Sequence, residues 1–189
     1  QKGFTNHTII AAAKAGANAV KFQNFLTEDF LSDKTILHTY KNGKDEVTEP
    51  LFDICKRSEF KTAWLPKLMN LCDELGVIFL STPTSENGVD DLISHGVKYI
   101  KNGSDYLSHI PLLKYMASTD ATIIISTGMA YQEEIDDAVN VILSIQPDKS
   151  KLIILHCTSS YPTSPENVNL NKIKTLQERY QVPIGFSDH

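Results

Sequence analysis

Long apolar runs are missing from this 189-residue chain, and none approaches the roughly 20 residues that span a bilayer. A basic excess is missing too. The 18 Lys and Arg are outnumbered by 23 Asp and Glu, and the net charge of -5 argues against a general nucleic-acid binder. Cysteine is scarce: Cys55, Cys72 and Cys157 are odd in number and far apart. They fit neither a disulfide framework nor a zinc knuckle, so reduced thiols in a cytoplasm are the expectation. The amino-terminal QKGFTNHT lacks a signal-peptide pattern. No G-x-G-x-x-G dinucleotide fingerprint follows any strand candidate. With 41% apolar and 22% charged residues, the chain reads as one soluble globular domain with a sizeable core.

What is present is a rhythm. Nearly continuous apolar, β-branched runs occur at 18–22, 76–82, 97–102, 121–127, 151–157 and 182–187. Such runs suit strands buried on both faces. Amphipathic stretches lie between them. From Thr62 to Leu75, Trp64, Leu68, Leu71, Cys72 and Leu75 recur at helical spacing, and Gly76 follows as a stop. Gln132 to Ser144 places Ile135, Val139, Ile142 and Leu143 on one stripe. A short helix is expected at Thr8 to Ala15, ended by Gly16, and another at Asn169 to Tyr180. Thr27 to Phe60 reads as an irregular, charged excursion off the scaffold.

Repeated strand–helix–strand implies a parallel sheet, either doubly wound or a (β/α)8 barrel. The strand ends decide between them. They read K-F-Q, S-T-P-T-S, K-N-G-S-D, S-T-G, H-C-T-S-S and S-D-H. A doubly wound sheet gathers function at one or two switch points, whereas a barrel uses the carboxyl ends of all its strands. The prediction is therefore an α/β fold, a (β/α)8 TIM barrel.

At those ends Lys21 and Lys101 sit inside apolar V-K-F and I-K-N-G, which should hold them near the barrel axis. Around them fall Thr82, Ser104, Ser126, Ser159 and Ser187. Ammonium groups and hydroxyls converging on one mouth suit a phosphate or carboxylate. Strand alternation sends Ser187 and His189 to one side and Asp188 to the other, placing an imidazole in the mouth. An imidazole beside oxygen ligands suits manganese, zinc or a similar divalent ion. His156 reads as structural, and His7, His38, His95 and His109 have no supporting neighbours.

Six motifs, in order, carry a resemblance: AGANAVKFQ (15–23), FLSTP (79–83), KNGSD (101–105) with IPLL (110–113), ISTGM (125–129), LHCTSSYPTSPE (155–166) and GFSDH (185–189). Together they resemble the sialic acid synthase family, which makes N-acetylneuraminate and other nonulosonic acids. The resemblance implies a barrel transferase that condenses phosphoenolpyruvate with an N-acyl hexosamine such as N-acetylmannosamine and releases phosphate. It implies a divalent metal, manganese first and magnesium or a similar ion second. It implies a homodimer in which a C-terminal antifreeze-like domain caps the neighbour's mouth. By position, Lys21, Thr82, Lys101, Ser104, Ser126, Ser159 and Ser187 match the phosphoenolpyruvate site. Gln23 and Tyr161 match sugar contacts, and His189 matches one of two histidine metal ligands. Lys21, Lys101 and His189 are the expected catalytic groups.

Three departures qualify the match. Tyr106 stands where many members carry an acidic sugar contact, with Asp105 beside it as a substitute, so the identity of the amino sugar stays open. Ser159 replaces an asparagine seen in some members. The first strand with its N-H-x-G turn is absent, although Asn6 and His7 echo the dipeptide with only about eight residues before Gly16. The expectation is strands two to seven of the barrel, in a chain that stops one strand short of the second metal ligand. Two other readings stay open: a Schiff-base aldolase using Lys21 or Lys101, and a truncated barrel that binds sugar without turnover.

Overall fold

The computed structural model describes residues 2–189. Helix α1 (Lys2–Lys14) leads into strand β1 (Ala19–Asn24). An excursion follows, with α2 (Thr27–Phe30), a hairpin of β2 (Leu37–Asn42) and β3 (Asp45–Pro50), and α3 (Leu51–Ser58). Strands and helices then alternate: α4 (Leu65–Glu74), β4 (Ile78–Pro83), α5 (Glu86–Ser94), β5 (Tyr99–Asn102), α6 (Ile110–Ala117), β6 (Thr122–Ser126), α7 (Gln132–Ile145), β7 (Leu152–Cys157), α8 (Asn171–Tyr180) and β8 (Ile184–Ser187).

The main sheet has the order β1-β4-β5-β6-β7-β8, all parallel. Each new strand joins beside the previous one and the order never reverses. A doubly wound sheet requires a reversal, so this is singly wound: helices cover one face and the sheet curls around the other. Each of the six predicted runs overlaps one of these strands, and β1 and β4 run past the predicted ends, to Asn24 and Pro83. The result is the incomplete (β/α)8 barrel that the rhythm implied, a curled sheet in which β1 and β8 are not paired to each other.

Alternation divides each strand between two environments. Val20, Phe79, Ile100, Ile123, Ile125, Leu152 and Ile154 face the helices and are buried against Leu65, Leu68, Leu92, Leu112, Met116, Ile142 and Leu176. Each such Leu or Ile stabilises the fold by about 1.5–3 kcal/mol on burial. The other set, including Lys21, Gln23, Thr82, Lys101 and Ser126, faces the concave side. The predicted stop at Gly76 takes its expected form. Its φ is +67°, Gly76 N–H donates to Asp73 O at 3.1 Å, and Val77 N–H donates to Cys72 O at 3.0 Å. That is a Schellman end, which needs a residue free to adopt left-handed backbone.

Three expectations need correction. The excursion is not irregular, since it holds an antiparallel hairpin and α3. Most hairpin residues are exposed, with only Tyr40, Val47, Glu49 and Pro50 half-buried, so the apolar alternation is weak; the two-residue turn is Gly43-Lys44, since Asn42 pairs with Asp45, and Gly43 takes φ +67°. The first helix is longer than Thr8–Ala15, and it takes in Asn6 and His7, which therefore form no strand-to-helix turn here. Helices α5 and α6 lay unnoticed in the sequence. Gly88 in the first turn of α5 weakens the helical signal, but a Cβ there would come 3.3 Å from Pro83 Cβ.

Candidate active site

The carboxyl ends of the strands and the loops after them enclose a cavity of about 490 Å³. All twelve residues singled out in the sequence line it: Lys21, Gln23, Thr82, Lys101, Ser104, Asp105, Tyr106, Ser126, Ser159, Tyr161, Ser187 and His189. They come from five strands and the turns that follow, and register brings them level. Gln23 pairs with Thr82 across β1 and β4, and Cys157 pairs with Ser187 across β7 and β8.

The two lysines dominate the electrostatics. Burial lowers the Lys101 pKa, and the neighbouring Lys21 charge lowers it further. Burial alone lowers Lys21, even though its side chain is open to water from the mouth. The concave wall explains both facts: one side of the ammonium meets solvent while protein replaces water on the rest. Among the described residues neither lysine has an ion-pair partner. Two partly desolvated cations raise the free energy of the free mouth, the Asp105 carboxylate offsets this only in part, and a bound anion relieves it.

Hydroxyls surround that pair. Thr82, Thr84 and Ser126 have buried side-chain oxygens with no hydrogen-bond partner among the described residues. Ser104 Oγ accepts a hydrogen bond from Gly128 N–H at 3.0 Å. A Cβ on Gly128 would fall 2.3 Å from Ser159 Oγ and 2.8 Å from Ser104 Oγ, so a bare glycine lets both hydroxyls close in. The same cavity is lined by Asp105, exposed, and Tyr106, half-buried, whose phenol pKa is raised by burial and then by the charges of Asp105 and Asp29. Asp105 thus adds one carboxylate to a mouth that holds two cations.

His189 and Ser187 face the cavity and Asp188 does not line it, as alternation predicted. His189 Nδ1 lies 3.2 Å from Thr158 O and 3.8 Å from Cys157 Sγ, and Nε2 lies 2.9 Å from the Tyr161 hydroxyl. This supplies one nitrogen suited to a divalent ion. Among the described residues no group of three or more His, Cys, Asp and Glu could hold a metal, so a complete site needs further ligands. The remaining histidines lie elsewhere. His156 is buried on the helix side with Nε2 2.6 Å from Val168 O, in the structural role expected of it. His109 Nδ1 accepts from Leu112 N–H and caps α6.

Thr84, Met129 and Cys157 also line the mouth and escaped the sequence reading. Period two would have found Thr84 from Thr82 and Cys157 from Ser159. Met129 carried no such signal: it sits on a turn with φ +63°.

A singly wound parallel barrel with such a mouth belongs to the broad class of (β/α)8 proteins that work at the carboxyl ends of their strands. A model of the NeuB family matches residues 8–189, and the chain belongs to that family. It is 34% identical over 183 residues to an N,N'-diacetyllegionaminic acid synthase of Legionella pneumophila, covering 96% of this chain and 51% of that protein. It is 36% identical over 182 residues to the spore coat polysaccharide biosynthesis protein SpsE of Bacillus subtilis, covering 96% and 48%. The crystal structure of an N-acetylneuraminic acid synthetase from Leptospira borgpetersenii in complex with citrate superposes with a TM-score of 0.84 at 32% identity, over 98% of this chain and 59% of that one. A truncated 3-deoxy-D-arabino-heptulosonate 7-phosphate synthase from Thermotoga maritima, at 11% identity and a TM-score of 0.65, shares the fold alone. The chain spans about half the length of the curated relatives it matches.

Proposed function

We propose that this chain forms the phosphoenolpyruvate-binding barrel of a nonulosonate synthase, a transferase joining phosphoenolpyruvate to an N-acyl hexosamine with release of phosphate. The observation that carries the reading is the pair of desolvated, unpaired ammonium groups, Lys21 and Lys101, among the hydroxyls of Thr82, Ser104, Ser126, Ser159 and Ser187. A ligand with a phosphate and a carboxylate a few ångströms apart suits two cations better than a single anion does. Gln23, Tyr161, Asp105 and Tyr106 line the same cavity and offer donors and acceptors to a polyhydroxylated acceptor. The relatives named for legionaminic and N-acetylneuraminic acid support this acceptor class, and citrate in the Leptospira protein's structure is in keeping with an anion-binding member.

In the proposed reaction C3 of the enol attacks the acceptor's aldehyde carbon, and the former carbonyl oxygen takes a proton. Water then adds at C2 and phosphate leaves with its bridging oxygen. The lysines orient the two anionic groups and offset their charge, so that the enol is held against the acceptor. A divalent metal, manganese first, would use His189 Nε2 as one ligand and supply Lewis-acid polarisation of the aldehyde. The cytoplasmic setting, the antifreeze-like domain and the homodimer belong to the same proposal. No described helix is long and apolar enough to cross a membrane.

The test is phosphate release from phosphoenolpyruvate with N-acetylmannosamine, or with a diacetamido hexose, and Mn²⁺. No release with any N-acyl hexosamine would overturn the reading and favour a barrel that binds sugar without turnover. One observation favours a second enzymatic reading. Lysines whose pKa is lowered by burial and a neighbouring cation are what Schiff-base chemistry uses. Borohydride trapping with pyruvate separates the two, since only the aldolase leaves a reduced adduct on Lys21 or Lys101.

A further inference from the structure

Strand β4 lies between β1 and β5 in the sheet, and Thr84 follows it directly. At the mouth this residue therefore stands between Gln23, from β1, and the turn after β5 that carries Asp105 and Tyr106. Its backbone is fixed from both sides. Thr84 N–H donates to Asn24 O at 3.2 Å, and the next residue, Ser85, caps α5 by accepting from Gly88 N–H at 3.3 Å. Asn24 Nδ2 donates to Gly88 O at 3.2 Å and ties the same two segments together. The side chain is held less firmly. Thr84 lines the mouth, yet its Oγ1 is buried and has no hydrogen-bond partner among the described residues. A buried hydroxyl without a partner is costly, and neither the strand nor the helix cap uses this one.

We infer that Thr84 is an acceptor-binding residue: its hydroxyl turns into the mouth and hydrogen-bonds a polar group of the N-acyl hexosamine. The inference rests on the synthase reading of the same mouth. The hydroxyl gives up no hydrogen bond to the described residues when it turns. A rotation of about 120° about χ1 takes it to another staggered position. The backbone that carries it does not have to move, so the contact comes from a preset position rather than from a closing loop. Its flanking residues in the mouth, Gln23 on one side and Asp105 with Tyr106 on the other, are the groups assigned to the acceptor. The two lysines with the hydroxyls of Thr82, Ser104, Ser126, Ser159 and Ser187 already answer the phosphate and the carboxylate. A carboxylate such as that of Asp105 only accepts, whereas the Thr84 hydroxyl can donate as well.

Phosphate release from phosphoenolpyruvate, with N-acetylmannosamine or a diacetamido hexose as acceptor and Mn²⁺, gives both KM values. Thr84→Val keeps the shape and removes the hydroxyl. It is expected to raise the acceptor KM about two- to tenfold, the worth of one hydrogen bond, and to leave the phosphoenolpyruvate KM as it is. Thr84→Ser keeps the hydroxyl and should hold the acceptor KM within about twofold of the unaltered protein's. A second measurement needs no variant to fold. In the unaltered protein, three-bond NMR couplings of the Thr84 methyl should report a changed χ1 when acceptor is added to the phosphoenolpyruvate-bound protein without metal. An unchanged acceptor KM in the valine variant, an equal loss in the serine variant, or an unmoved χ1 would each overturn the inference and leave the synthase reading in place. No phosphate release from the unaltered protein with any N-acyl hexosamine would overturn both.

Discussion

Replacing Lys101 with methionine separates an anion-binding lysine from a structural one, because the two roles predict opposite signs. The ammonium is desolvated, lies near Lys21 and, among the described residues, makes no ion pair, with Asp105 acting on it only through space. Removing it ends a repulsion and a desolvation cost while methionine keeps most of the packing of the stem. At pH 7 the fold should therefore keep its stability or gain up to about 1 kcal/mol, a rise of about 2–4 °C in Tm for a chain of this size. Phosphoenolpyruvate binding should move the other way. A charge-assisted contact contributes about 1.5–3 kcal/mol, so affinity should fall about 10- to 150-fold. The pH dependence follows from the lowered pKa. Between that pKa and the unfolded value of 10.5 the unfolded chain holds a proton that the folded chain has lost. Stability of the unaltered protein therefore rises with pH across that window, and its difference from the variant shrinks. Thermal melts with and without phosphoenolpyruvate, from pH 7 to 10, measure all three effects. A Tm that drops by several degrees with unchanged phosphoenolpyruvate affinity would show Lys101 to be structural and refute the reasoning.

Gly128→Ala pushes a methyl group against Ser104 Oγ and Ser159 Oγ; phosphoenolpyruvate affinity, read by calorimetry, should fall more than Tm because both obstructing atoms are in the mouth. Gly185→Val places its side chain on Leu155, whose Cδ2 lies 2.8 Å from the position of a Cβ. An overpacking cost of about 1–3 kcal/mol should appear in urea unfolding. Arg179→Met removes the partner that, with Tyr180, lowers the Asp136 carboxyl to about 2 and ties α8 to α7. That stabilisation is present above the unfolded pKa of 3.8 and is lost as pH falls toward about 2. Melting curves of the two proteins should converge across that window.

Much of the fold was legible because the strands carry apolar side chains on both faces and so appear as nearly unbroken apolar runs, even where β1 and β8 leave one face open, while Gly76 marks a helix end by its backbone freedom alone. The hairpin was not legible by the same logic: with most of its residues in water and none fully buried, little forces an apolar alternation. Gly88 shows the converse, since a residue poor for helices stands in α5 because Pro83 passes close by. In the site, alternation was enough to send Ser187 and His189 into the mouth and keep Asp188 out. Met129 stayed hidden because its place follows from a turn rather than from a period.

The sequence by itself determined which residues end the strands, and therefore which polar groups meet at the mouth, because a strand's direction and period are local properties. Only the tertiary structure decided how those groups treat one another. That Lys21 and Lys101 lie near each other with no ion-pair partner among the described residues, that Gly128 lies between two hydroxyls, and that the Tyr161 hydroxyl lies 2.9 Å from His189 Nε2 are relations between segments far apart in the chain. The physical reason is that hydrogen bonds and desolvation act over a few ångströms in space, whatever the separation in sequence.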